Sequence, residues 1–272
     1  MKEFIVEKEE DLKTFTDNTY AQGSFYWNYL MKNREIKVNG KKVAKNVKLF
    51  SGDQVQYYLT PAQEAREAFY TVFENGEVVV IDKESGVNSE AVFSALAERG
   101  CYFIHRLDRN TCGLMIFAKT KECAEALKRA FKERRVEKIY HALCFGTPPK
   151  EADVLTAYLK KESERALVRV YDSPSNGGER IVTEYKVLER GEKYTKVEIC
   201  LHTGKTHQIR AHMAHIGCPV VGDNKYGDER KNKAFGVSRQ VLVAKRLAVD
   251  SNESCLAFLK GKRFSSRFRA EL

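Results

Sequence analysis

The chain predicts an α+β fold: a mixed, mainly antiparallel sheet with flanking helices, preceded by a small α/β module. Three observations predict it. From residue 77 onward strand-like runs follow one another with few helices between them, a pattern that favours antiparallel pairing. One strongly amphipathic helix, "KECAEALKRAFKERR", interrupts those runs. Finally, residues 26–60 form a compact basic stretch set apart by its charge.

Within that stretch, "YWNYLMKN" reads as a short helix. "EIKVNGKKVAKN" follows as two strands joined at Asn39-Gly40, the dipeptide that two-residue hairpin turns favour because both central positions need positive φ. "LFSGDQVQYYL" then turns at Gly52-Asp53 into an alternating strand, Val55, Tyr57, Leu59. So short a segment buries little core, so an appended binding module is expected rather than an independent domain. "TPAQEAREAFYTV" starts with Thr-Pro, alternates little and reads as a linker. The expected division is residues 1–60 for the module, 61–75 for the linker and 76–272 for the main domain.

In the main domain, "EVVVIDKE" and "GLMIFAK" are apolar runs of strand length. Thr120 offers an N-cap to the amphipathic helix, whose Ala124, Leu127, Ala130 and Phe131 share one face. "KIYHALCFG", "RALVRVYD", "IVTEYKVLERG" and "TKVEICL" follow as strands. No internal repeat or low-complexity tract is visible.

Composition narrows the function classes. Of 272 residues, 43% are hydrophobic, enough for a real core. No run approaches 18 consecutive apolar residues, and the charged N-terminus lacks a signal peptide's apolar stretch, so a cytoplasmic protein with no membrane partner is expected. The seven cysteines form no CxxC pair and are odd in number, which suits reduced thiols rather than a disulfide framework. Net charge is +10. Residues 32–48 hold seven Lys/Arg against one Glu, and residues 260–269 hold five against none. Such clusters suit a polyanion, and Lys37, Lys41 and Lys42 on the hairpin are candidate RNA contacts.

The stretch "HTGKTHQIRAHMAHIG", residues 202–217, invites two readings that fail. A phosphate-binding loop needs a glycine five positions before Gly204, where Ile199 stands, so no nucleotide cofactor is expected. His202, His207, His212 and His215 lack the spacing of a zinc site, and no metal is expected. The HxE…PCxxC signature of zinc deaminases is absent as well. What remains is Arg210, whose meaning depends on a carboxylate elsewhere. "HRLDRNTCGLMIFAK" supplies one: Asp108 lies between Arg106 and Arg109 on a turn before a buried strand, a usual place for active residues.

"HRLDRNTCGLMIFAK", "RRVEKIYHALCFG", "VTEYKVLERG" and "LHTGKTHQIRAHMAHIGCPVVGDNKYG" together resemble, in order and spacing, the RluA-type family of RNA pseudouridine synthases over roughly residues 76–250. The basic phrase "IKVNGKKVAKNVKLFSGDQV" resembles the alpha-L RNA-binding module that precedes the catalytic domain in some members, although its first helix departs from the usual pattern. The resemblance implies a pseudouridine-synthase catalytic domain that isomerises uridine in structured RNA, ribosomal or transfer, without cofactor. It implies that Asp108 is catalytic, that Tyr140 packs on the target base, and that Arg210 pairs with Asp108 while Ile209 packs beside Tyr140. Arg106 is the candidate to fill the gap left by the departed uridine; His105 and Arg109, in the same motif, are candidate RNA contacts. "VVVIDKESGVNSE" keeps the Lys and Gly of the family's KPxG segment but lacks its Pro and His.

Those residue types suit the chemistry. Breaking the bond from ribose to base leaves the sugar carbon electron-poor. A carboxylate either attacks or stabilises it, as in retaining glycosidases, or removes the ribose 2′ hydrogen. Burial disfavours a charged carboxylate, and a two-pronged arginine opposes that where a lysine does not. Tyr140 is the candidate to take the hydrogen from carbon 5, though a phenol of pKa near ~10 is a poor base at pH 7. A second functional class, an RNA-binding folding factor with little catalysis, uses the same basic surfaces. Nothing in the sequence suggests a large interface, so a monomer is expected.

Overall fold

The computed structural model describes residues 1–162, 167–174 and 177–272. The N-terminal unit comprises β1 (Lys2–Ile5), β2 (Glu10–Asp11), α1 (Leu12–Thr19), α2 (Ala21–Phe25), α3 (Trp27–Asn33), β3 (Ile36–Val38), β4 (Lys41–Lys42), β5 (Lys48–Leu49) and β6 (Gln54–Tyr57). Its sheet runs β1-β6-β3-β4. Asn39 and Gly40 take positive φ between β3 and β4, as the dipeptide predicts. Asp11 caps α1 by accepting from the Thr14 amide at 2.9 Å. Leu12, Leu30, Ile36, Leu49, Val55 and Tyr57, all fully buried, form a core of its own.

Beyond β6 the expected linker is ordered. Thr60 caps α4 (Pro61–Glu64) with a full capping box, and Pro61 occupies the first turn, where its missing N–H costs nothing. β7 (Phe69–Glu74) is not linker at all: it pairs antiparallel with β8 (Val78–Lys83) as an edge strand of the large sheet. "FYTVFE" has one face to solvent, which hides a strand from a search for long apolar runs.

The main sheet continues through β9 (Cys112–Ala118), β10 (Val136–Phe145), β11 (Ala152–Glu162), β12 (Leu167–Tyr171), β13 (Glu179–Arg190), β14 (Tyr194–Leu201), β15 (Leu242–Val249) and β16 (Arg263–Ser265). The first two residues of the "RALVRVYD" run, 165 and 166, lie outside the described residues. Strand order is β12-β11-β13-β14-β10-β15-β9-β8-β7, with β16 on β15. Only β9 and β15 pair in parallel among the described strands, so the sheet is mixed and mainly antiparallel. The helices are α5 (Ser89–Ala97), α6 (Lys121–Lys132), α7 (Gln208–His215) and α8 (Glu229–Ala234).

Alternation along the strands assigns the two faces. Val78, Val80, Leu114 and Ile116 pack with Ala124, Leu127 and Ala130 of α6. Their neighbours Val79, Ile81, Met115 and Phe117 pack on the other side with α5, α7 and Ala21 of α2. Thr120 caps α6 through the Cys123 amide at 3.2 Å, as expected. At the parallel crossing Gly113 has φ +115, and a Cβ there would stand 2.4 Å from the carbonyl oxygen of Ala244, so only glycine lets β9 approach β15 this closely.

Candidate active site

A cleft of about 270 Å³ opens between the loop entering β9, strand β10 and the start of α7. Asp108, Tyr140, Ile209 and Arg210 all line it, together with His105 and Arg106. The turn carrying Asp108 is closed by the Thr111 amide donating to the Asp108 carbonyl at 3.0 Å. Below it, the fully buried Lys83 donates to the carbonyls of Glu84 (2.9 Å), Val87 (2.8 Å) and Arg109 (3.1 Å). Burial pushes the Lys83 ammonium down to about 7. The lysine retained from the KPxG-like segment thus ties β8 to the loop of Asp108.

His207 is the N-cap residue of α7, and its φ of +54 turns the chain out of the Gly204–Thr206 bend. Arg210 is buried on that helix. Its Nη1 donates to Oδ2 of Asp108 at 2.8 Å. The two-pronged pair expected with Asp108 is made instead with Asp223: Nε reaches Oδ2 at 2.7 Å and Nη2 reaches Oδ1 at 2.9 Å. Geometry explains the change, because a guanidinium has two usable edges and Asp223, in the loop that follows α7, meets the edge Asp108 leaves free. Burial alone would lower the pKa of Arg210, but Asp223 and then Asp108 outweigh it and raise it. Burial likewise opposes ionisation of Asp223, and the guanidinium overrides that, holding the carboxyl below its usual range. Amides of Lys225 and Tyr226 also donate to Asp223 Oδ1. The Tyr226 ring lies 5.3 Å from the guanidinium carbon, and its hydroxyl meets His207 Nδ1 at 2.9 Å. Asp223 and Tyr226 both sit in "VVGDNKYG", and neither was singled out by sequence; only the Asx-type turn in GDN hinted at an oriented carboxylate.

Oδ1 of Asp108 has no protein hydrogen-bond partner among the described residues. Tyr140 is buried in the cleft wall, in one apolar cluster with Ile209. Burial, with the charge of Asp108 behind it, pushes its phenol further up. That makes Tyr140 a still poorer base than an ordinary tyrosine and leaves its ring face as its useful feature.

Other expected contacts fall differently. Arg106 is exposed at the cleft and pairs with Glu90 at 3.0 Å. Arg109 pairs with Asp17 of α1, tying the N-terminal unit to the loop of Asp108. His105 is committed too, its Nε2 accepting from the Ile116 amide at 3.1 Å and its ring stacking on Phe131. Charge counting in sequence cannot separate an arginine that meets phosphate from one that meets a carboxylate of the same chain. Lys41 and Lys42 are exposed on β4, and Lys37 lies over the Tyr58 ring.

The four histidines do not converge. His202 bonds Glu184, His207 Tyr226, His212 Thr183 and His215 Asp172. Among the described residues one set could hold a metal, Glu184, Cys200 and His202, whose ligand atoms lie within 4.8 Å of one another outside the cleft lining. Lys205 of the GKT triplet pairs with Glu179.

Comparison with known proteins gives consistent relatives. The RNA pseudouridylate synthase family profile matches residues 77–215. Ribosomal large subunit pseudouridine synthase C of Rickettsia bellii is 30% identical over 231 residues, 74% of this chain and 76% of its own. An uncharacterized RNA pseudouridine synthase of Aquifex aeolicus is 33% identical over 259 residues, 83% and 79% of the two chains. Among solved structures, human RNA pseudouridylate synthase domain containing 1 superposes with a TM-score of 0.61 at 29% identity, covering 68% of this chain and 79% of that one.

Proposed function

This chain belongs to the RluA-type family of RNA pseudouridine synthases, and from that premise we propose that it isomerises uridine in ribosomal large-subunit RNA with Asp108 as the catalytic residue. The names of the bacterial relatives support the choice of RNA. The observation that carries the assignment of Asp108 is its arrangement: one carboxylate oxygen held by Arg210, the other unpartnered in a cleft walled by a tyrosine.

The uridine leaves its stack at a cost of a few kcal/mol, offset by stacking on Tyr140 with Ile209 beside it. Arg106, exposed at the cleft margin, takes the vacated place. The free oxygen of Asp108 then acts on the ribose, at carbon 1′ or on the 2′ hydrogen, as the bond to base nitrogen 1 breaks. The base turns, carbon 5 joins carbon 1′, carbon 5 loses its hydrogen and nitrogen 1 gains one. Product and substrate have the same atoms, so the proposed reaction consumes no cofactor. Residues 1–60 serve as the RNA-binding module and residues 76–272, together with the edge strand β7 before them, as the catalytic domain, with Lys37, Lys41 and Lys42 meeting the RNA backbone. Free thiols and an RNA substrate fit the cytoplasm, and the chain acts as a monomer.

Asp108→Asn tests the assignment. Tritium release from RNA labelled at uridine carbon 5 is expected in the native protein and absent in the variant, with RNA binding retained. Release from the variant at the native rate overturns the role of Asp108; none from either protein overturns the reading as a whole.

A further inference from the structure

Four lysines and arginines line the cleft: Arg106, Lys138, Lys205 and Arg210. Three are neutralised within the chain, by Glu90, by Glu179, and by Asp108 with Asp223. Lys138 is the exception, with neither a carboxylate nor a carbonyl bonded to its Nζ among the described residues. Its surroundings make this costly. The side chain is half-buried, with Nζ 5.8 Å from the centre of the Phe131 ring. Burial lowers the pKa of the ammonium; nearby Cys200 opposes the effect and the charge of Arg134 adds to it. Arg134 stands at the left-handed turn before β10 (φ +60) and has no ion-pair partner among the described residues either. A cation kept in such a place without a counter-charge is poised for an anion supplied from outside.

Position identifies the anion. Lys138 precedes Tyr140 by two residues on β10, so both project to the same side about 6.7 Å apart along the strand, the span of one nucleotide from base to backbone. On the other flank lies Gly204, where a Cβ would come within 3.7 Å of Nζ; the missing side chain leaves room beside the ammonium. We infer that Lys138 seats the phosphodiester adjoining the uridine that stacks on Tyr140, with Gly204 providing the space and Arg134 a second positive charge at the rim. The inference rests on the proposed reaction only for the position of the base; the seat itself is a phosphate site.

Binding of in vitro transcribed ribosomal large-subunit RNA, measured against salt in the full chain, tests it. Lys138→Met is expected to lower the slope of log K against log salt by about 0.7, one single-stranded phosphate, which amounts to about fivefold in affinity over a tenfold change in salt. Lys138→Arg is expected to keep the native slope. Lys138→Gln carries the same test should the Met variant not fold. Slope and affinity unchanged in a folded Met or Gln variant overturn the seat. Pseudouridine formation by the native protein is assayed on the same RNA: its absence counts against the reaction, while the slope still reports on Lys138.

Discussion

Arg210 stands between two carboxylates, its Nη1 on Oδ2 of Asp108 and its Nε and Nη2 on both oxygens of Asp223, which is fully buried. Asp223 therefore aims the guanidinium, and the guanidinium in turn aims Asp108. A lysine at 210 keeps the charge but cannot serve both edges. Arg210→Lys is expected to lower kcat by about a hundredfold or more through misplacement of Asp108. It should also cost about 3–5 kcal/mol of stability, because Asp223 stays buried with its charge under-compensated. Tritium release and denaturant unfolding read the two effects separately. Near-native turnover would show that orientation of Asp108 does not depend on the fork.

Acid should weaken the fold through two histidines. Burial holds His105 down at about 3 and His212 at about 4, against an ordinary 6.5. Between pH 6.5 and 4 the unfolded chain binds protons at both positions and the folded chain does not, so stability falls as pH falls. The slope is up to about 1.4 kcal/mol per pH unit for each histidine. Below about pH 3 neither contributes further loss. His212→Asn, which preserves a polar atom toward Thr183, is expected to remove roughly half of this dependence between pH 6.5 and 5. An unaltered slope in that variant would exclude His212 as a source.

Much of this was legible from residues in order. The alternation of β13 and β14, the Thr120 cap and the Asn39-Gly40 turn each obey local rules, and local rules survive folding. The meeting of Asp108 with Arg210 was legible only through the joint motifs, since 102 positions separate them and no local rule spans that distance. Asp223 was missed because the direction of a guanidinium fork is a tertiary property. The intramolecular partners of Arg109 and His105 were not legible for a related reason: residue type does not decide which neighbour a side chain beside Asp108 meets. β7 was hidden because an edge strand with one wet face carries too weak an apolar signal.

The pairing of Arg109 with Asp17 gives the N-terminal unit a part in the active site. Asp17 accepts from Arg109, from Ser24 Oγ and from Lys13, and Asn88 of the segment before α5 donates to Asn18 at 3.0 Å. Arg109 follows Asp108 directly, and its carbonyl already takes the Lys83 ammonium. The loop is thus gripped from two sides, by β8 through its backbone and by α1 through a side chain. Asp17→Asn leaves the guanidinium of Arg109 without its counter-charge and is expected to cost about 1–3 kcal/mol. Hydrogen exchange at residues 106–111 should quicken, and kcat should fall about tenfold as Asp108 loses its fixed position. Arg109→Gln added to Asp17→Asn removes the orphaned cation, and should restore much of the stability but not the loop's protection. If exchange in the loop stays native in Asp17→Asn, the N-terminal unit is docked beside the site without steadying it.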